Sequence, residues 1–168
     1  MKRILFVTLL CLSFSATAQF DEKVAKAAKH SGSFLVGFGA GGTAFGFAYE
    51  FMPDQSLGFD GHLRVFPKDN QGANQSQGLM VLGGSMVHHF YKRSWDLAFS
   101  PSFNIINIDA TNGNDQTTFG PGLSISLMTQ LTDQISVGFD NSRYWIWFDD
   151  DFRGSALDDF AIRIRSSF

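Results

Sequence analysis

The chain has 168 residues, a formal charge of −3, 19 phenylalanines, 17 glycines and one cysteine. So small a charge gives no electrostatic footprint for a nucleic-acid partner. A lone thiol forms no intramolecular disulfide and no thiolate metal site, and a soluble domain of this size rarely spends so much on phenylalanine.

Residues 1–18 read as a cleaved export signal. Lys2 and Arg3 precede the apolar run Ile4–Leu12, and Ala16-Thr17-Ala18 supplies the small-residue cleavage site. The run is too short for a membrane-spanning helix, which needs ~20 apolar residues. Cleavage before Gln19 removes Cys11, so the exported chain is expected to have no thiol. Residues 19–30 form a polar, Ala/Lys-rich arm or short helix with acids before bases, expected on the periplasmic side. Residues 31–168 form one domain.

From Ser31 the chain alternates with a period of two, the mark of a strand with unlike faces. Phe34, Val36 and Phe38 lead to Gly41-Gly42, a hairpin dipeptide, and then to Phe45, Phe47, Tyr49 and Phe51. After a turn at 52–55 come Leu57, Phe59, Leu63 and Val65, opposite Asp60, His62 and Arg64. Residues 67–77 are loop. The fourth strand, about Gly78 to Phe90, is apolar on both faces and its register stays open. Trp95, Leu97, Phe99, Phe103 and Ile105 make the fifth, opposite Asp96, Ala98, Ser100, Ser102 and Asn104. Loop 107–117, a sixth strand from Phe119, a turn at 131–133, a seventh from Ile135, loop 149–156 and a last strand ending at Phe168 complete the chain.

Eight strands of the length that crosses a tilted membrane wall, ~9–11 residues, predict an all-β, eight-stranded, antiparallel up-and-down transmembrane barrel. After the minimal first hairpin the connections alternate short and long, which places both termini in the periplasm and the long loops outside. Volume decides which face is inside. An eight-stranded barrel has just enough interior for side chains to fill, and the many Phe, Trp and Leu side chains of one face exceed it. The large face therefore points to lipid, and the Gly/Ala/Ser face with its few charges points inward.

The ending Phe160-Ala-Ile-Arg-Ile-Arg-Ser-Ser-Phe168 alternates apolar and basic residues and stops on an aromatic carboxyl terminus. It resembles the C-terminal signal strand of Gram-negative outer-membrane barrels, which implies recognition of Phe168 by the barrel-assembly machinery. The whole pattern resembles the small eight-stranded outer-membrane barrels, the class of outer-membrane protein X and the membrane domain of outer-membrane protein A. That resemblance implies a bacterial outer-membrane location, a monomer, and lipid and lipopolysaccharide as partners.

The predicted inward polar network is Glu50, Asp60, His62, Arg64, Asp96, Arg163 and Arg165. Buried charges are costly unless paired, so a salt-bridged plug is expected in preference to a porin-like ion path. Trp95, Tyr144, Trp145, Trp147 and Phe168 are expected in interfacial aromatic girdles, with Phe90 and Tyr91 beside Trp95. Arg143 would share the lipid face with Phe139, Asn141 and Trp145, which predicts either a β-bulge at Asp140–Ser142 or a place for Arg143 near the outer headgroups, in reach of lipopolysaccharide.

Asp60, His62, Ser124 and Ser126 invite a hydrolase triad, but Asp60 and His62 lie about 7 Å apart on one strand face and inside the wall. Two outer-membrane enzyme families share this barrel size, the lipid A deacylases with a His-x-Ser pair and the lipid A palmitoyltransferases with an outer-rim histidine. The matching stretch here, Gly138 to Tyr144, has a serine and no histidine, and His88 and His89 fall at the periplasmic end. The acidic loop residues Asp69, Asp109, Asp115 and Asp149-Asp150-Asp151 lack the spacing of a known calcium loop. No catalytic residue, cofactor or metal site is predicted. The expected role is structural, in the envelope or at the cell surface, with lipid A modification and a small pore as the alternatives.

Overall fold

The structure, a computed structural model, describes residues 29–39, 42–67, 78–109, 116–147 and 156–168. The export signal, all but the last two residues of the arm, and the loop carboxylates Asp69, Asp115 and Asp149–Asp151 lie outside these residues. Eight strands run in order: β1 (His30–Gly39), β2 (Gly42–Phe51), β3 (Leu57–Phe66), β4 (Gly78–Lys92), β5 (Trp95–Asp109), β6 (Gln116–Gln130), β7 (Ile135–Trp145) and β8 (Ala156–Ser167). Each pairs with its sequence neighbour, and β8 pairs antiparallel with β1 to close the barrel. Closure leaves no unpaired sheet edge, the condition for a β-structure to span lipid.

The end carrying the termini is stitched by backbone bonds. His30 N donates to the Phe168 carbonyl at 3.2 Å and Phe168 N to the His30 carbonyl at 2.9 Å. Between β4 and β5 the turn is Arg93-Ser94, with Arg93 in the left-handed region at φ 57°. At the β2–β3 turn the Asp54 carboxylate accepts N–H bonds from Ser56 and Leu57, both at 2.8 Å.

The alternation holds along all eight strands. Phe38, Phe47, Trp95, Phe103, Phe139 and Ile164 face out and are at least half exposed, while Ser33, Ala48, Ala98, Ser126 and Ala161 face in and are buried. The register of β4 becomes definite: Met80, Leu82 and Met86 face lipid, and Val81, Val87 and His89 face inward. No bulge interrupts β7. Its pairing with β8 runs in one register from Ile135↔Ser166 to Trp145↔Ala156, and its pairing with β6 from Gln130↔Ser136 to Gly122↔Tyr144. Of the two arrangements expected for Arg143, the bulge is therefore excluded.

Near the end opposite the termini, the outer one in the expected orientation, the polarity of the two faces inverts. Phe66, Val81, Ile106, Ile108, Tyr144, Ile146 and Leu157 turn inward and pack with Ala44 into one buried apolar cluster, flanked by Leu79. At the same level Thr43, Asp109, Thr117 and Asp158 are exposed on the outer face. An apolar core under a polar skin is the pattern of a barrel wall standing in water, so the inversion marks where the wall leaves the hydrocarbon.

Candidate functional site

Below that apolar stopper the interior is polar and falls into three clusters. Nearest the end that carries the termini, the His89 ring lies between two carboxylates, with Nε2 2.6 Å from Glu50 and Nδ1 3.0 Å from Asp96. A ring facing acceptors at both nitrogens bonds both only as the imidazolium. Arg165 Nη1 closes the cluster at 2.7 Å from the second oxygen of Asp96. Tyr91 lies almost parallel to the His89 ring, centroids 5.4 Å apart. It therefore turns inward instead of joining the rim beside Trp95.

Half-way up, His62 Nδ1 meets Asp60 Oδ1 at 3.0 Å and its Nε2 meets Asn104 Oδ1 at 2.9 Å. The Asn104 amide nitrogen donates to Ser102 Oγ at 3.0 Å and to the Gly120 carbonyl at 3.3 Å, which fixes which end of the amide faces the histidine. Gly83 makes the approach possible, since a Cβ there would collide with both Asn104 Oδ1 and His62 Nε2. The contact between Asp60 and His62 corrects the expectation that ~7 Å spacing on one strand face keeps them apart. Backbone spacing does not limit two side chains that lean toward each other.

The third part centres on Asp140. It accepts from Arg64 Nη2 at 2.9 Å, from Ser142 Oγ at 2.7 Å and from Arg163 Nη1 at 3.3 Å. Arg163 Nε also donates to Ser33 Oγ at 3.0 Å. Asp159 lies just under the stopper, with Arg64 Nε 3.7 Å away as its charge partner. Among the described residues the interior thus holds five carboxylates (Glu50, Asp60, Asp96, Asp140, Asp159) against three arginines (Arg64, Arg163, Arg165) and two doubly bonded histidines (His62, His89). Each of these charged groups faces one of opposite sign or a hydrogen-bond partner, as burial in a low-dielectric wall requires.

All seven residues expected inside are there. Reading the sequence alone missed His89, Asn104, Asp140, Tyr144 and Asp159. Continuing the register of β7 from Phe139 would have placed Asp140 and Tyr144 inward.

Space and connectivity limit the chemistry. The void bounded by Asp60, His62, Arg64, Ser124, Asp140 and Arg163 measures about 20 Å³. That is room for one water. Among the described residues no Ser-His-Asp relay forms, because Asn104 occupies His62 Nε2 and the Ser85 hydroxyl bonds Asp60 instead at 2.6 Å. Ser124 bonds Ser142 at 2.7 Å, and Ser126 is buried on the same inner face.

On the outer surface Trp95, Trp147 and Phe168 are exposed and Trp145 is partly so. Tyr144 is 1% exposed and belongs to the stopper, which corrects its assignment to the girdle. Arg143 is exposed on the lipid face, where it forms a two-pronged ion pair with Asp158 of β8, Nη2 to Oδ2 at 2.7 Å.

No protein-family model and no curated protein sequence matches the chain. Solved structures do. The N-terminal β-barrel domain of OprF from Pseudomonas aeruginosa superposes with a TM-score of 0.65 at 8% identity, covering 84% of this chain and 99% of that one. Neisserial surface protein A (NspA) matches at 0.59 and 15% identity, covering 83% and 94%. The outer-membrane enzyme PagL matches at 0.54 and 14% identity, covering 82% and 99%. These likenesses show the fold: the chain is an integral membrane barrel of the small, eight-stranded outer-membrane type.

Proposed function

We propose that this barrel is a non-catalytic protein of the outer membrane whose work is done by its wall and its outer loops, as an envelope component or a surface for interaction. The observation that carries this reading is the filled interior. An ion-paired network occupies the lower part and an apolar stopper the upper part, so among the described residues neither an aqueous path nor an open cleft reaches the buried polar groups. Phe168 is 65% exposed at the closing seam, which supports its reading as the residue that the barrel-assembly machinery recognises.

Lipid A modification is the second reading, favoured by the presence of an outer-membrane enzyme among proteins of the same fold. It needs a base on the outer rim. Among the described residues, however, His30 and His88 lie at the periplasmic end and His62 and His89 inside. The deciding experiment expresses the barrel in the outer membrane, verifies folding by heat-dependent gel mobility, and compares the lipid A mass spectrum with that of an empty-vector strain. An unchanged spectrum, together with no channel conductance of the purified protein in planar bilayers, is expected. An acyl chain lost or gained would make the protein an enzyme, and discrete conductance steps would make it a pore.

A further inference from the structure

One outward side chain does not belong in hydrocarbon. The barrel wall is tilted, so a row of paired residues climbs from one strand to the next. The row through Asn141 starts at His88 near the periplasmic end, passes Phe99 and Ile125, and continues beyond Asn141 through Phe160 and Phe38 to Thr43 near the outer end. Asn141 therefore lies about midway across the membrane. It is exposed, with no hydrogen-bond partner within the barrel, amid Phe139, Phe160 and Ile125. An amide left unpaired in lipid is expensive, because no water is present to satisfy it.

Two residues further toward the outside on the same face lies the Arg143–Asp158 pair. A phosphate-bearing lipid is a poor match for this patch. Both prongs of Arg143 are already engaged, Asp158 repels anions, and the outer half of the described lipid-facing wall holds no other basic side chain. What the patch offers is donor and acceptor in equal measure: an amide carrying both, and an ion pair carrying both signs. A group with that composition is its own complement.

We infer that the β7–β8 face is an interface between two copies of this chain, related by a two-fold axis along the membrane normal. Asn141 of each copy donates to and accepts from Asn141 of the other. Arg143 and Asp158 sit above that contact, where they can exchange partners across the axis, and the stacked rings of Phe139 and Phe160, centroids 5.6 Å apart, pack alongside. Polar side chains act in this way as glue between membrane segments, where apolar contact with a partner has no advantage over contact with lipid. A dimer thus replaces the monomer expected from the resemblance.

Cysteine cross-linking in native outer membranes tests this. Asn141→Cys is expected to give a reducible dimer band under copper-phenanthroline oxidation. Phe103→Cys, 58% exposed on β5 and two strands away from β7, is expected to give none. The only native cysteine, Cys11, lies in the expected export signal and adds no background in the exported chain. Equal, weak cross-linking of both variants would overturn the interface. In bilayers free of lipopolysaccharide, Asn141→Leu is expected to weaken dimerisation roughly 3- to 20-fold by single-molecule photobleaching. A monomer in those bilayers that associates only when lipopolysaccharide is added would replace the protein partner with a lipid one.

Discussion

Near the end that carries the termini Glu50, His89, Asp96 and Arg165 fill the barrel with paired charges, whereas near the opposite end Phe66, Val81, Ile106 and Ile108 fill it with hydrocarbon. The same wall surrounds both. What differs is the medium outside it. Where the outer face meets lipid, large apolar side chains are used up on that face and the inside receives the small and charged ones. Where the wall stands above the lipid, the ordinary arrangement of a water-soluble protein returns, and the apolar groups turn inward. Each end is stable for its own reason, and mutations should fail differently in each.

The largest effect is expected from Asp140→Ala. It leaves Arg64 and Arg163 facing each other without the carboxylate they share, and breaking a buried pair in this way costs ~3–5 kcal/mol. Urea unfolding in lipid vesicles should show a midpoint shift of that size, and a loss under ~1 kcal/mol would mean that water reaches the network. Ile106→Ala in the stopper should cost ~2–5 kcal/mol from lost burial and the cavity left behind. In the same assay neither loss should change with ionic strength, because ions do not enter a sealed interior. A loss for Asp140→Ala that varies with salt while that of Ile106→Ala does not would mean that the polar region, unlike the stopper, is open to water.

The smallest effect belongs to the β2–β3 turn. Backbone donation from Ser56, then its hydroxyl and the Leu57 N–H, hold the Asp54 carboxyl below the usual carboxylate range. A lowered value means that the carboxylate's support is fully present above about pH 4 and is lost as the pH falls through that lowered value. The amide resonances of Ser56 and Leu57 should therefore titrate in acid, and in Asp54→Asn they should not.

The lipid-facing strands were legible because their period-two contrast is large: Trp95, Leu97 and Phe99 against Asp96, Ala98 and Ser100 leave one choice of inside. The stopper was not. In Asn104-Ile105-Ile106-Asn107-Ile108 both faces carry isoleucine, because the outward Ile105 still meets lipid while the inward Ile106 and Ile108 already line the stopper. The period survives there, but its sign reverses within two residues, and a reading that assigns one polarity to each face sees only a blur. β4 was ambiguous for the same reason. Tyr144 was misplaced because aromatic type alone suggests a girdle, while its place in the alternation puts it inside. Asp140 and Asp159 were legible in principle from register, and the apparent fault at Arg143 obscured the first of them.

The last strand has a consequence for how the barrel can be made. β8 brings Asp159, Arg163 and Arg165, whose partners sit on β1, β3, β5 and β7, to the seam with β1. A chain that has laid down only seven strands therefore has a gap in its wall and carboxylates short of a partner, Asp96 left with His89 alone and Asp140 with Arg64 as its one cation. Such an intermediate is repelled by hydrocarbon at the place where it is open. Sealing the seam and neutralising the interior are thus one event, and truncated or stalled chains are kept out of the bilayer by their own electrostatics.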